Sequence, residues 1–349
     1  MGSALSIFIM MNRKSILYIG NDLVKKTNYH TSMATFSVNI EKEGIRVYKY
    51  SNVSGKVLRL FHMCWGLLKY SGTCKYVLVD TFSSSAFYYA FVISQLARLL
   101  NKKYIPILRG GNLPHRISKS VFLSNAIFKY SFVNVAPSNY LKEAFEKKGY
   151  NTIYVPNILE IDRYQFRKRR PLQPKLFWVR AFKHLYNPLL AIDVLELLQN
   201  EYPEAKLCMV GPAMDDSFEL VQKEVKKRRL EKSVELTGVL SKEDWHKKSE
   251  NFDIFINTTN FDNTPVSVME AMALGLLVVS TNVGGIPFLI EDGKDGILVE
   301  KENAQAMRVA ILLLLNNNSE DIAVSARKKA ESFAWKSVKK KWSELMKFS

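Results

Sequence analysis

Short apolar segments alternate with helix-length segments along the chain. In the first part, the predicted strands are Ile16–Ile19, Tyr76–Val79, Tyr104–Leu108, Val133–Ala136 and Ile153–Val155. The helix-length segments between them include Ser84–Leu100 and Ser138–Lys148. Strands that are apolar throughout and separated by helices indicate a parallel sheet covered by helices on both faces.

The same alternation restarts after residue 174. Here the predicted strands are Leu176–Val179, Leu207–Val210, Val234–Leu236, Asp253–Ile256 and Leu277–Val279, and the predicted helices are Pro188–Asn200, Phe218–Arg229 and Ala304–Leu315. The sequence therefore predicts an α/β protein with two doubly wound, Rossmann-like domains. Because ligands of such sheets bind beyond the carboxyl ends of the strands, we expect the site in the cleft between the domains.

The domain boundaries follow from a change in composition. Residues 163–174 contain five basic residues and two prolines and no acidic residue, which is typical of a linker. We therefore expect a first domain over residues 12–162, a second domain over residues 175–330, and a C-terminal helix over residues 331–349 that crosses back to the first domain. A length of 349 residues is enough for two domains that each bury a core.

One predicted helix places a carboxylate among apolar residues. Thr264 and Pro265 suggest the helix start, with the threonine hydroxyl as cap, and Gly275 suggests its end. The residues between them are apolar nearly all round, so Glu270 should be buried. A buried carboxylate needs donors. It either forms a structural ion pair or accepts hydrogen bonds from ligand hydroxyls.

Three further features suit contacts with a ligand, although each also has a purely structural explanation. Asp262 precedes the helix and suits either a local turn or a ligand contact. Gly284 and Gly285 precede Pro287, in a strand-turn-helix pattern that offers backbone N–H groups to an anion. Arg180 follows a strand, where it is either a surface residue or a phosphate ligand.

The second half resembles the family 4 glycosyltransferases, which are retaining enzymes with the two-domain GT-B fold. The resemblance rests first on the acidic pair Asp262 and Glu270, separated by seven residues. The surrounding motifs follow in the expected order, and they are Val210-Gly211-Pro212, Val234–Gly238, Asp253–Ile256, Glu270–Gly275 and Gly293–Val299. In the first half, Val135–Ser138 and Val155–Asn157 resemble the strand-Ser and Pro-Asn motifs of the family, and the resemblance is loose before residue 130.

The resemblance implies a nucleotide-sugar donor, linked to UDP or GDP, and a saccharide or lipid-linked acceptor. The implied catalytic residues are Arg180, Asp262 and Glu270. The implied donor-binding residues also include Lys183, Gly211, Asn263, Thr264, Pro265, Gly284 and Gly285, and the implied acceptor-side residues are Arg109, Gly110, Gly111 and Asn112. The chain has no Asp-x-Asp motif, so we expect neither a metal nor a further cofactor.

The chain departs from the family pattern at several positions. Asp262 is one methylene shorter than the usual glutamate, and Lys183 does not match the usual lysine position cleanly. Phe288 replaces a glutamate, Arg109 replaces a histidine, and Gly20-Asn21 lacks the usual second glycine. These changes leave the identity of the donor nucleotide and sugar open.

The positive charge is concentrated in the first half. The whole chain has a formal charge of +17, and residues 51–142 contain twelve Lys and Arg against the single acid Asp80. Within that stretch, Gly55–Tyr70 mixes basic residues with Leu, Phe, Met and Trp. This composition suits either a helix at an anionic membrane surface or a core helix with a solvated basic edge.

The sequence therefore predicts a retaining, metal-independent glycosyltransferase that builds a cell-surface polysaccharide or glycolipid. Residues 1–11 make a poor signal peptide, and three cysteines are too few for a disulfide framework. We thus expect a cytoplasmic protein, peripheral at the inner face of the membrane. The alternatives are a sugar-nucleotide epimerase of the same fold and a non-catalytic protein that binds nucleic acid or membranes. No nucleic-acid-binding motif supports a nucleic-acid partner.

Overall fold

The structure divides into two compact units. It is a computed structural model that describes residues 14–20, 31–53, 55–317 and 319–347, so the apolar run of residues 1–11 and Asn21 lie outside the described residues. The first unit extends to Ile158 and also contains the chain from Trp335 onward. The second unit is Leu159–Ala334.

The first unit contains a six-stranded parallel sheet. Its strands are β1 (Ser15–Ile19), β2 (Arg46–Tyr50), β3 (Tyr76–Phe82), β4 (Lys103–Arg109), β5 (Asn134–Ala136) and β6 (Thr152–Tyr154), in the order β2-β1-β3-β4-β5-β6. The sequence analysis missed β2. This strand pairs only with β1, and its Arg46 and Lys49 are exposed, so it has no continuous apolar run.

Helices cover both faces of this sheet. They are α1 (Ser32–Lys42), α2 (Lys56–Tyr70), α3 (Phe87–Leu99), α4 (Leu113–Lys119), α5 (Val121–Phe128) and α6 (Asn139–Glu146). Met63, Phe87 and Phe128 pack in the core on one face, and Phe36 packs in the core on the other. Burial on both faces explains why the central strands are apolar throughout.

The second unit repeats this plan. Its strands are β7 (Lys175–Val179), β8 (Lys206–Val210), β9 (Val234–Gly238), β10 (Ile254–Asn257), β11 (Leu277–Thr281) and β12 (Ile297–Val299), all parallel in the order β12-β11-β10-β7-β8-β9. Two doubly wound parallel sheets confirm the predicted fold class. The sequence analysis also missed the edge strand β12, which is three residues long.

The helices of the second unit are α7 (Pro188–Leu198), α8 (Ser217–Lys227), α9 (Lys242–Ser249), α10 (Val266–Leu274), α11 (Ile286–Leu289), α12 (Ala304–Asn316) and α13 (Glu320–Glu331). The basic segment of residues 163–174, predicted as a linker, lies within the second unit. The reason is Arg169, whose buried side chain donates hydrogen bonds to Phe252 O at 2.7 Å and to Leu274 O at 2.9 Å.

The last helix, α14 (Trp335–Leu345), is part of the first unit. Its Trp342 is 5% exposed and lies against Phe36 of α1, with 4.7 Å between ring centroids. Trp335 Nε1 donates to Glu43 Oε1 at 3.0 Å. No helix in the described part of the chain combines the length and hydrophobicity needed to cross a bilayer.

We expect Trp342→Ala to lower the free energy of unfolding by about 3–5 kcal/mol, because a large buried indole is replaced by a cavity. Chemical denaturation followed by circular dichroism measures this change. The matched control is Trp65→Ala, because Trp65 is 61% exposed. This control should change stability by no more than about 0.5 kcal/mol. Equal losses in the two variants would contradict the packing described for α14.

Candidate active site

The chain between β10 and α10 is tied to the turn that follows β7. That turn is the short 3-10 segment His184–Tyr186. Thr258 Oγ1 donates to Tyr186 O at 2.8 Å, and Asn260 N–H donates to Leu185 O at 2.8 Å. These bonds bring the carboxyl ends of two neighbouring strands together, at the sheet edge where doubly wound proteins bind ligands.

Two adjacent glycines let a second loop pass very close to this chain. A Cβ on Gly284 would lie 2.1 Å from Asp262 O, and a Cβ on Gly285 would lie 1.9 Å from Asn263 O. Gly285 N–H donates to Asp262 O at 2.9 Å. The prediction that Gly285 offers a free N–H to an anion is therefore wrong, because its N–H is used within the protein. The glycines instead hold residues 262–263 in place.

Gly211 has a similar role beside Arg180. A Cβ on Gly211 would lie 1.7 Å from Arg180 O, so only glycine fits at this position. Arg180 N–H donates to Val210 O at 3.0 Å, which continues the pairing of β7 with β8 beyond the end of β7. The backbone of Arg180 is therefore fixed from the neighbouring strand.

Arg180 and Asp262 form an ion pair through Nη2 and Oδ2. The guanidinium also lies over the Tyr186 ring, 4.6 Å from its centroid, and Asp262 Oδ1 accepts a hydrogen bond from Asn263 N–H at 2.6 Å. Burial lowers the pKa of Arg180 to about 10, so the side chain remains a cation at neutral pH. Two residues predicted from separate motifs are thus in direct contact.

Glu270 is buried, as predicted, with 4% exposure. Its Oε1 accepts hydrogen bonds from Tyr164 Oη at 2.8 Å and Lys242 Nζ at 2.7 Å. Burial, reinforced by the Glu270 charge, raises the pKa of Tyr164, which keeps the phenol protonated as a donor. The structural ion pair, one of the two alternatives for Glu270 in the sequence analysis, is therefore present with Lys242. Both contacts use Oε1, and Oε2 is the oxygen that a ligand hydroxyl would approach.

The sequence analysis did not identify Tyr164 or Lys242. Tyr164 lies in the segment predicted as a linker, and Lys242 is one of several charged residues in α9. Neither position has a distinctive local pattern. The available signal was indirect, because a buried carboxylate requires donors and only the fold shows which residues reach it.

The predicted cap of α10 is wrong. The helix begins at Val266 and Pro265 occupies the N-cap position, so the Thr264 hydroxyl lies one residue too early to reach the first-turn amides. Thr264 Oγ1 is instead buried with no hydrogen-bond partner among the described residues, as are Ser267 Oγ and Arg180 Nε. Buried polar groups are normally paired, so each of these atoms has unused hydrogen-bonding capacity.

Lys183 lies directly before the His184–Tyr186 turn and is partly exposed. Nearby, His184 Nε2 lies 2.6 Å from Asp216 Oδ1, and Asp215 Oδ2 accepts from His184 N–H at 3.0 Å. Within the described residues, these three side chains form a group with metal-ligand spacing. They are exposed or partly exposed and contact each other. Metal independence therefore stays a prediction.

The predicted acceptor-side residues lie at the end of β4 in the first unit. Arg109 Nε pairs with Asp80 Oδ1 at 2.9 Å, Nη1 donates to Asn157 Oδ1 at 2.8 Å, and Nη2 donates to Tyr18 Oη at 3.1 Å. Residues 110–112 form the turn into α4, with Gly110 at φ +93°. Arg109 thus connects the carboxyl ends of β1, β3 and β4, and the acceptor-side role of residues 109–112 stays a prediction.

Two doubly wound parallel sheets, with charged residues at the carboxyl ends of the strands, define the GT-B class of fold. Residues 161–333 match the family described as Glycosyl transferases group 1. That match covers nearly the whole second unit, so this part of the chain is similar to that family.

Curated relatives align with only part of the chain. The poly(glycerol-phosphate) alpha-glucosyltransferase of Bacillus subtilis (strain 168) is 27% identical over 186 residues, which are 50% of this chain and 27% of that protein. The amylovoran biosynthesis glycosyltransferase AmsK of Erwinia amylovora is 38% identical over 112 residues, which are 30% of this chain and 27% of that protein. The alignments span about a quarter of each relative's length.

Similarity to solved structures extends over both units. Alr3699/HepE of Anabaena, crystallised in complex with UDP, has a TM-score of 0.72 at 16% identity, and the match covers 95% of this chain and 98% of that one. At this identity the match establishes the fold and carries no residue roles.

We expect Gly285→Ala to lower the free energy of unfolding by about 1–3 kcal/mol, because its methyl group forces the backbone at Asn263 to move. Thermal unfolding measures the loss. Gly72→Ala is the matched control, since no heavy atom lies within 4 Å of its added Cβ. If Gly285→Ala is as stable as this control, the close approach of the two loops is incorrect.

Proposed function

We propose that the protein is a retaining glycosyltransferase that transfers a hexosyl group from a nucleotide sugar to an acceptor hydroxyl. The observation that carries this proposal is the contact between Arg180 and Asp262 at the carboxyl ends of β7 and β10, beside three buried polar atoms without partners. This arrangement occurs in a unit that matches the family described as Glycosyl transferases group 1.

Each site residue has a chemical task in this proposal. Arg180 and Lys183 neutralise the charge that develops on the leaving diphosphate, and such fixed charge lowers the barrier to departure. Asp262 accepts hydrogen bonds from hydroxyls of the transferred sugar. Glu270, through Oε2, accepts hydrogen bonds from the ribose hydroxyls. The cations carry the charge that a divalent metal carries in other transferases, which makes the proposed reaction metal-independent.

We propose UDP as the nucleotide of the donor. The support is the similarity to Alr3699/HepE, which has been crystallised with UDP and with UDP-glucose. The Bacillus subtilis relative is a glucosyltransferase by name, so UDP-glucose is the first donor to test. An alpha-linked product formed from this alpha-linked donor would demonstrate retention.

We propose a cell-surface polymer, or its lipid-linked precursor, as the acceptor. The relatives' names supply the support, since one acts on poly(glycerol-phosphate) and the other takes part in amylovoran biosynthesis. A polymer acceptor made at the cytoplasmic face of a membrane fits the apolar and basic character of the first unit.

The outer face of α2 supports a membrane location. Val57, Leu58, Phe61, Trp65 and Leu68 are between 49% and 69% exposed. The sequence left two interpretations of this segment, a helix at a membrane surface and a core helix with a solvated basic edge. A core helix would expose only its basic side chains, whereas α2 also exposes these five apolar ones. Lys56 and Lys69 lie at the two ends of the same helix, where they suit an anionic lipid surface.

We expect Glu270→Ala to abolish transfer from UDP-glucose and to weaken UDP binding by about 10- to 100-fold, because charge-assisted hydrogen bonds to the ribose are lost. Isothermal titration calorimetry measures UDP binding, and product analysis with a polyol-phosphate acceptor measures transfer. Transfer to the acceptor distinguishes this function from epimerisation, whose net product keeps its UDP.

Glu235→Ala is the matched control, because Glu235 also pairs with a lysine, at 2.6 Å from Lys248, but is 55% exposed on β9. It should bind UDP and transfer sugar like the parent. Normal transfer in Glu270→Ala would refute the site assignment. Absence of UDP binding in the parent, across a panel of UDP-sugars, would refute the proposed donor.

We expect the protein to float with vesicles that contain anionic phosphatidylglycerol and not with pure phosphatidylcholine vesicles at low salt, because basic residues add about 1 kcal/mol each near an anionic surface. The double variant Phe61→Ser with Trp65→Ser should float less, since both side chains are exposed on α2. Val309→Ser is a control for an exposed apolar residue in the second unit. Equal flotation with both vesicle types would contradict the membrane location.

A further inference from the structure

A cavity lies in the first unit, at the carboxyl ends of β1 and β3. Its volume is about 280 Å³, and its polar lining residues are Ser51, Lys56, Arg59, Asp80, Ser84 and Ser85. This volume is near the lower end of the range for small-molecule sites, about 300 Å³. None of the residues predicted from sequence as donor or acceptor ligands lines it.

Ser51 is the most unusual residue of this cavity. It is fully buried, and its Oγ has no hydrogen-bond partner in the part of the chain that the structure describes. It also has φ +119°, a conformation that favours glycine. A strained backbone and an unpaired buried hydroxyl both oppose stability, and such features concentrate at ligand sites.

The charges around Ser51 favour an anion. Lys56 and Arg59 lie in the first turn of α2, which has no side-chain cap and no acidic residue in that turn. Arg59 Nε donates to Val53 O at 3.1 Å, and among the described residues neither cation pairs with a carboxylate. The positive end of a 15-residue helix adds to their charge.

Asp80 is the one acid of the lining, and its charge is already compensated. Its Oδ1 accepts hydrogen bonds from Tyr18 Oη at 2.9 Å and from Arg109 Nε at 2.9 Å. The Asp80–Arg109 pair is therefore neutral overall. Lys56 and Arg59 then give the lining of the cavity a net positive charge.

We propose that this cavity binds a phosphate group carried by the acceptor. A hydroxyl, an ammonium, a guanidinium and helix N–H groups together suit a tetrahedral anion with several oxygens. The remaining volume accommodates the polyol or sugar attached to the phosphate. This inference rests on the proposed function, because it names the chemistry of the acceptor on which the transferase acts.

Equilibrium dialysis with radiolabelled glycerol 3-phosphate tests the site directly. We expect the parent to bind the probe, and Lys56→Gln and Arg59→Gln each to bind at least about tenfold more weakly, as loss of a charge-assisted hydrogen bond predicts. The control is Lys69→Gln on the same helix, which removes the same charge outside the cavity. Equal binding by all four proteins would overturn the proposal.

Substitutions of Ser51 test whether that residue contacts the ligand. Ser51→Gly removes the hydroxyl and relieves the backbone strain, so its Tm should equal or exceed that of the parent while its affinity for glycerol 3-phosphate falls. Ser51→Ala keeps the strain and should lose the same affinity. The contrary result is an unchanged affinity for glycerol 3-phosphate in both variants together with a lower Tm for Ser51→Gly. It would mean that Ser51 serves only the stability of the fold, and it would count against the proposed site.

A vesicle experiment distinguishes a lipid headgroup from a soluble phosphate. If the phosphate belongs to a lipid, Lys56→Gln and Arg59→Gln should reduce flotation with phosphatidylglycerol vesicles more than Lys69→Gln does. If the phosphate belongs to a soluble acceptor, the three variants should float equally. They should then differ only in their affinity for glycerol 3-phosphate, measured by dialysis. UDP binding, measured on the same proteins, tests the proposed function independently. If the parent binds glycerol 3-phosphate but not UDP, the proposed transferase function is refuted and the proposed phosphate site is not.

Discussion

The candidate site depends on backbone segments that approach each other more closely than side chains allow. Gly211 lies against the carbonyl of Arg180, and Gly284 and Gly285 lie against the carbonyls of Asp262 and Asn263. A Cβ at any of the three glycines would come within 2.1 Å of a carbonyl oxygen. These contacts fix Arg180 against the end of β8 and residues 262–263 against the loop after β11, while the hydrogen bonds from Thr258 and Asn260 join the ends of β10 and β7. The Arg180–Asp262 ion pair is a consequence, since both side chains extend from backbone that has little freedom to move.

The two units present different chemistry at equivalent edges of similar sheets. In the second unit, a buried carboxylate, an ion pair and unpartnered hydroxyls suit the hydroxyl-rich and phosphate-rich parts of a nucleotide sugar. In the first unit, Arg109 neutralises Asp80, and Lys56 and Arg59 have no acidic partner among the described residues. In the functions that we propose, the positive charge of the chain therefore has at least two tasks, one in diphosphate chemistry and one in acceptor recognition.

The sequence predicted ten of the twelve strands that the structure describes, because central strands of a parallel sheet are buried on both faces and leave continuous apolar runs. It missed β2 and β12, edge strands with a polar or short run. The site residues Asp262 and Glu270 were also predictable, since each belongs to a recognisable motif. The donors to Glu270 were not. Tyr164 and Lys242 lie 106 and 28 residues from it in the chain, and neither has a local signature.

The sequence by itself determined the fold class, the burial of Glu270 and the uneven distribution of charge, because periodicity and composition are local properties. Only the tertiary structure decided which of these groups meet. It made Gly285 a close-packing residue rather than a hydrogen-bond donor to an anion, left α10 without the expected Thr264 cap, and placed Ser51 in a cavity beside Lys56 and Arg59. Each of these outcomes depends on distances between segments that are far apart in the chain. Those distances are set by the strand order of each sheet and by the paths of the connecting loops.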